Sequence, residues 1–174
     1  LALALDLLIL ILWQDPRNEE NFFFALFLFM VVVWATGSLI GRIGAYSGAR
    51  EGVIEFGLRM LDVGFAGAGI SAYIYTAVLI GYRGAFFRLA AFAVLTVIVV
   101  YQVLLEILNV PHSFNVTDDG ILDYSFDAPG MMVYFAFQVG TAFLVWQNRR
   151  KIRSKLLSGS LLLFVLGQMI GLLI

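Results

Sequence analysis

The run Phe22–Gly41 holds twenty residues and not one charged side chain. At about 1.5 Å of rise per residue, a helix of that length covers about 30 Å, the thickness of a bilayer's hydrocarbon core. Composition points the same way. The chain is 61% hydrophobic and 13% charged, against roughly half and a quarter in soluble domains. It therefore reads as an all-α protein, a polytopic helical membrane bundle whose main partner is the lipid bilayer. A net charge of −1 excludes a strongly basic nucleic-acid surface. The absence of cysteine excludes disulfides, thiolate metal sites and cysteine nucleophiles.

Apolar periodicity predicts six spans in one integral-membrane domain over residues 1–174: Leu1–Trp13, Phe22–Gly41, about Gly52–Tyr82, Ala85–Leu108, Gly130–Gln147 and Leu156–Ile174. The first is short for a span, so further residues are expected upstream. The third has an uncharged core, Val63–Tyr82, after a mixed segment in which Glu55, Arg59 and Asp62 share one helix face. Between the fourth and fifth spans, Asn115–Phe126 is predicted to form a short external hairpin, with Asp119-Gly120 at the turn.

Loop charges assign the sides. Before the fifth span, Asn109–Pro129 carries Asp118, Asp119, Asp123 and Asp127 and no Lys or Arg; after it, Asn148–Lys155 carries Arg149, Arg150, Lys151, Arg153 and Lys155 and no acid. Counting Arg17, Arg83 and Arg88 with that basic loop gives eight bases on one side, against Arg42 and Arg50 on the other. Cytoplasmic loops collect Lys and Arg, which places the basic loop in the cytoplasm and the visible N-terminus outside. Six spans then end outside, and the parity invites a seventh.

Few side chains offer chemistry. Asp6 lies about 10 Å along its helix from Trp13, a depth at which a carboxylate either serves function or orients helices through hydrogen bonds. Arg59 with Glu55 and Asp62 reads as an interfacial charge cluster. Tyr101, Gln102 and Glu106 near the outer end of the fourth span, with Tyr134 and Gln138 on the fifth, are the candidate ligand-binding residues. The external loop, with Phe114, Tyr124 and Phe126, would cover them. His112 is the only histidine; a lone imidazole without cysteine makes a poor metal site, and the loop acids lack calcium-loop spacing. No histidine lies in a span to ligate haem, and no lysine lies there to hold retinal. No metal, cofactor or catalytic constellation is therefore assigned. Gly37 and Gly41, and Gly167 and Gly171, form GxxxG steps suited to packing within the bundle or between protomers. Phe22–Phe24, Trp13, Trp34 and Trp146 read as lipid-facing or interfacial aromatics.

The stretch DPRNEENFFFALFLFMVVVW (Asp15–Trp34) resembles the start of the N-terminal seven-transmembrane sensor regions of bacterial histidine kinases. There a first loop of the form Pro-x-Asn-x-x-Asn precedes an aromatic-rich second span with a Trp; here the matching residues are Pro16, Asn18, Asn21 and Trp34. GILDYSFDAPGMMVYF (Gly120–Phe135) is similar to that family's loop before the fifth span, and NRRKIRSK to its basic turn before the sixth. The resemblance implies a seven-helix sensory input module in the bacterial cytoplasmic membrane, with an outside N-terminus and a kinase or cyclase module after the last helix; the GxxxG faces would serve a homodimer or a larger membrane complex. The kinase activity would belong to other sequence, since His112 sits in an external loop and is no cytoplasmic phosphoacceptor. An alternative is a non-catalytic accessory subunit of a respiratory or photosynthetic complex. A transporter is disfavoured, because there is no inverted repeat and no broken helix with paired polar groups.

Overall fold

Caps and turns set where the helices break. The computed structural model describes residues 2–15, 18–81 and 85–148. Helix α1 is Ala2–Gln14, α2 Glu19–Tyr46, α3 Glu51–Leu79, α4 Ala85–Ile107 and α5 Ala128–Asn148; strands β1 (Phe114–Val116) and β2 (Leu122–Tyr124) lie between α4 and α5. Asn18 starts α2 by accepting a hydrogen bond from the Glu20 amide at 3.0 Å, and Glu19 and Glu20 set negative charge against the helix N-terminus. Asn21 donates back to the Asp15 carbonyl at 3.1 Å. The two asparagines of the first loop thus build the turn between α1 and α2. At the far end of α4, Asn109 takes φ of 50°, a left-handed conformation that asparagine tolerates better than most residues.

Helix α3 is the hub, packed most extensively on α2, then on α5 and α4, while α1 touches mainly α2. The α2–α3 seam is built on small residues. A Cβ on Gly57 would stand 2.6 Å from the Gly41 amide nitrogen and 2.9 Å from the Gly37 carbonyl, and one on Gly64 would collide with the Trp34 backbone. The Gly37/Gly41 step is therefore an intramolecular contact. Farther along, Phe23, Phe27 and Met30 of α2 close a core with Ile70, Ile74 and Leu95.

The hairpin forms as expected, antiparallel, pairing Phe114 with Tyr124 and Val116 with Leu122. Gly120 at φ 75° closes its turn. Phe114, Val116, Leu122 and Tyr124 lay their inward faces on Ala45, Ile54 and Leu58, which caps the α2–α3 end of the bundle.

The count of six spans is corrected. Among the described residues there are five helices, and three of them (α2, Arg88–Ile107 within α4, and α5) are long and apolar enough to cross a membrane. Helix α1 has 13 residues, about 20 Å of helix, which falls short of a hydrocarbon core. Helix α3 is long enough, but it is sheathed by other helices over most of its length. Its glycines, Ser71 and Thr76 suit contact with protein more than contact with lipid. The sixth span, the basic loop from Arg149 onward and the Gly167/Gly171 step lie outside the described residues. The aromatics also divide. Trp13, Trp146 and Phe22 are exposed, whereas Phe23 is buried and Trp34 meets Phe65 edge to face at 5.5 Å. Successive helical residues turn by about 100°, so a phenylalanine run cannot face lipid throughout.

Because the obstruction at Gly64 is backbone, side-chain rotation cannot relieve it. Gly64→Leu is expected to lower stability by about 3 kcal/mol or to prevent folding, whereas Gly52→Leu, where nothing lies within 4 Å, should be near neutral. Thermal unfolding of the detergent-solubilised protein measures both.

Candidate functional site

The hairpin end of α3 carries charge into the bundle. Glu55, Arg59 and Asp62 share a face, but Arg59 is 6% exposed and Asp62 2%. The loop between α4 and β1 folds over them and supplies the His112 and Val110 contacts. A buried charge must find a partner; Arg59 finds Glu106, while Asp62 and the half-buried Glu55 both meet His112, at its ring and at its amide. Arg59 Nε donates to Glu106 Oε2 of α4 at 2.6 Å, and Arg59 Nη2 donates to the Val110 carbonyl. Asp62 Oδ2 lies 2.9 Å from His112 Nε2, and Asp62 Oδ1 accepts from the Asp127 amide at 3.5 Å. Glu55 accepts from the His112 amide at 3.3 Å. On the α4 side, Gln102 Nε2 donates to Asp127 Oδ2 at 3.1 Å, and the Tyr101 hydroxyl donates to the same carboxylate. One polar cluster thus ties the hub helix to α4, to the loop after α4 and to the start of α5.

Beside this cluster is a cavity of about 360 Å³ lined by Tyr101, Gln102, His112, Ser113 and Asp127, with Arg59 at its inner wall. The sequence-derived ligand residues separate here. Tyr101 and Gln102 line the cavity, and Glu106 stands beside it as the partner of Arg59. Tyr134 and Gln138 do not line it. They are buried in the α3–α5 seam, where Tyr134 stacks on Phe65 with ring centroids 4.1 Å apart and packs over Gly69. Asp6 is exposed on α1, far from the cluster in the chain and on a helix that packs mainly on α2. Among the described residues, no group of three or more His, Asp or Glu side chains is disposed to hold a metal ion.

Two members of the site were not picked out from sequence. By sequence alone His112 is a loop histidine unsuited to a metal site, and Asp127 is one of several loop acids. The available signal was Asp62 itself, a carboxylate flanked by Leu61 and Val63 that required a counterpart from elsewhere in the chain.

The electrostatics favour protons. Asp62 holds the His112 imidazole above its usual 6.5, chiefly through their hydrogen bond, with burial opposing and the carboxylate charge adding. Asp127 is raised above its usual 3.8 by burial and then by the neighbouring charge of Asp62. Among the described residues at this end, Glu55, Asp62, Glu106 and Asp127 outnumber Arg59, His112 and the Arg42 that meets Tyr124, so acids are in excess.

Compared with known proteins, the chain matches no protein-family model, no curated protein and no solved structure.

The pH dependence follows from the two raised groups. Each binds its proton more tightly folded than unfolded. The His112 contribution is therefore complete below about pH 6.5 and is lost as pH rises through its folded value; the Asp127 contribution is lost the same way at lower pH. Unfolding midpoints should fall with rising pH across neutrality. Asp62→Asn should cost about 3 kcal/mol or more in acid, since it breaks a buried pair, and should flatten the His112 part of the slope. Glu106→Gln should cost about 1 kcal/mol or less, because that side chain is 52% exposed. Thermal or denaturant unfolding at several pH values checks all three.

Proposed function

We propose that this chain is the membrane-embedded sensory input module of a bacterial signalling protein, placed in the cytoplasmic membrane with the hairpin outside. The observation that carries this reading is the polar cluster beneath the hairpin. A bundle that only filled the membrane would have no use for buried Arg59, Asp62 and Gln102 next to a cavity at one end. Such a cluster, clasping a loop to a hub helix, is a switch in the making: a cue that binds the loop-on and loop-off arrangements with different affinity shifts their populations. The transmitted movement would pass through α3 into α4 and α5, which it contacts directly. The pattern of Asn18, Asn21 and Trp34 supports the same reading by its resemblance to histidine-kinase sensor regions, and the kinase or other output would lie in further sequence.

The alternative, an accessory subunit of a larger membrane complex, draws on one feature. Asp6 is exposed on an otherwise apolar helix, which suits a polar partner on another chain. Stable co-purification with a multi-subunit complex through α1, abolished by Asp6→Leu, would favour it over the sensor.

Two outcomes are expected. In a signalling reporter carrying the full open reading frame, Gln102→Ala together with Glu106→Ala should change the stimulus threshold by about tenfold, the effect of 1.4 kcal/mol on the switch equilibrium. An unchanged response to every activating stimulus, or a reading frame without an output domain, would sink the sensory reading. For orientation, Ser113→Cys should react with an impermeant maleimide on intact cells and Ser154→Cys should not; the reverse pattern would invert the proposed topology.

A further inference from the structure

The cluster under the hairpin has one contact on which the rest of the loop depends. Residues 108–111 and Ser113 are exposed, so the connection from α4 to β1 gains little from apolar burial. Three polar contacts hold it to the hub, all on one face of α3: the Val110 carbonyl on Arg59, the His112 amide on Glu55, and the His112 ring on Asp62. Only the last joins two groups buried below a tenth of their surface, with side chains 7% and 2% exposed. We propose that Asp62 and His112 are a proton-binding latch, and that external acidity is the cue this module senses: the protonated imidazole clasps the loop to α3 and its deprotonation releases the loop.

The chemistry favours a proton over a larger ligand. A carboxylate as enclosed as Asp62 is stabilised by a cation and penalised without one. Arg59, the nearest other cation, is already turned toward Glu106 and Val110. The proton on His112 therefore decides whether Asp62 has a counterion. Every element packed around the pair contributes to this balance. Helix α3 brings Glu55 and Arg59, α4 brings Glu106 and the Tyr101 hydroxyl, and the residue before α5 is Asp127. From the hairpin comes Tyr124, whose hydroxyl is met by Arg42 of α2. Acids outnumber bases in this set, so proton uptake relieves repulsion and proton loss restores it. The cavity beside His112 reaches exposed Ser113 and Ser125, giving water a path to the ring from the hairpin side. An imidazole is the side chain whose charge changes in the range where external pH varies.

The direction is fixed by the same balance. In acid the imidazolium and the carboxylate hold each other, and the loop lies on α3. As pH rises through the folded value of His112, attraction between charges becomes a hydrogen bond from a neutral ring, and the loop loosens. Because Val110 and Glu106 meet on Arg59, loosening the loop also frees the outer end of α4.

The inference rests on the sensory reading, and its test is separable from that reading. The chain has no cysteine and one histidine, so nitroxide labels at Ser47→Cys at the end of α2 and at Val110→Cys, an exposed residue of the loop itself, and a labelled imidazole each report from a defined place. In lipid nanodiscs, the imidazole nitrogen resonances should titrate above the ordinary histidine value, and below it in Asp62→Asn. The spin-label distance should be short and narrow at about pH 5.5 and longer and broader at about pH 8.5. His112→Gln, which keeps an amide donor but no titration, should make the distance independent of pH. A distance that does not change with pH in the parent protein, or that changes equally in His112→Gln, would overturn the latch. If the distance is flat while the reporter still answers another stimulus, the latch fails and the sensory reading stands. If the distance follows pH while reporter output ignores external pH, the latch is a structural clasp and acidity is not the cue.

Discussion

The close approach of the α2 and α3 backbones is the constraint on which the rest of this structure depends. Gly37 and Gly41 on one side and Gly57 and Gly64 on the other let two long helices touch main chain to main chain. That contact draws α3 into the middle of the bundle, with α4 and α5 on its remaining sides. A helix so enclosed meets protein where its neighbours meet apolar surroundings, and it can carry groups that lipid would not accept. Arg59, Asp62, Ser71 and Thr76 are all buried on it. Larger residues at the seam would push α3 outward and leave those groups without an environment.

Burial then dictates the shape of the hairpin end. The hairpin itself is seated by apolar contact, through Phe114, Val116, Leu122 and Tyr124 on Ala45, Ile54 and Leu58. The loop leading to it has no such surface and is held by ionic and hydrogen-bonding groups instead. The two forces differ in what can undo them. Apolar burial responds weakly to conditions at the surface, whereas a buried acid and imidazole respond to a single proton. The hairpin is thus the fixed part of the cap and the preceding loop is the part open to control.

Much of the architecture was legible from sequence because it follows from local patterns. The uncharged length of Phe22–Gly41 and the Asp119-Gly120 turn each act within a few residues, and each has its expected structural counterpart; the Asn18 cap is as local but shows only in the structure. The α3 segment was harder to read. Its apolar core reads as one span among six, and the glycines that soften its hydropathy suit an inner helix, which is where it lies. Tyr134 and Gln138 show what spacing leaves open. Both are buried polar groups on α5 outside the lining of the cavity, with Tyr134 packed on Phe65 and Gly69 of α3, since a helix periodicity fixes which residues share a face without fixing what the face meets.

Sequence alone determined that this chain is helical and apolar enough to reside in a membrane, where its turns lie and that Glu55, Arg59 and Asp62 share one side of a helix. Those properties depend on spacing and composition, which the chain carries locally. Tertiary structure alone decided that Asp62 meets His112, fifty residues away, and that Arg59 divides its guanidinium between Glu106 and the Val110 carbonyl. Such pairings depend on which helices pack and how closely, and here that was settled by backbone contact at glycines whose effect extends well beyond their own neighbours in sequence.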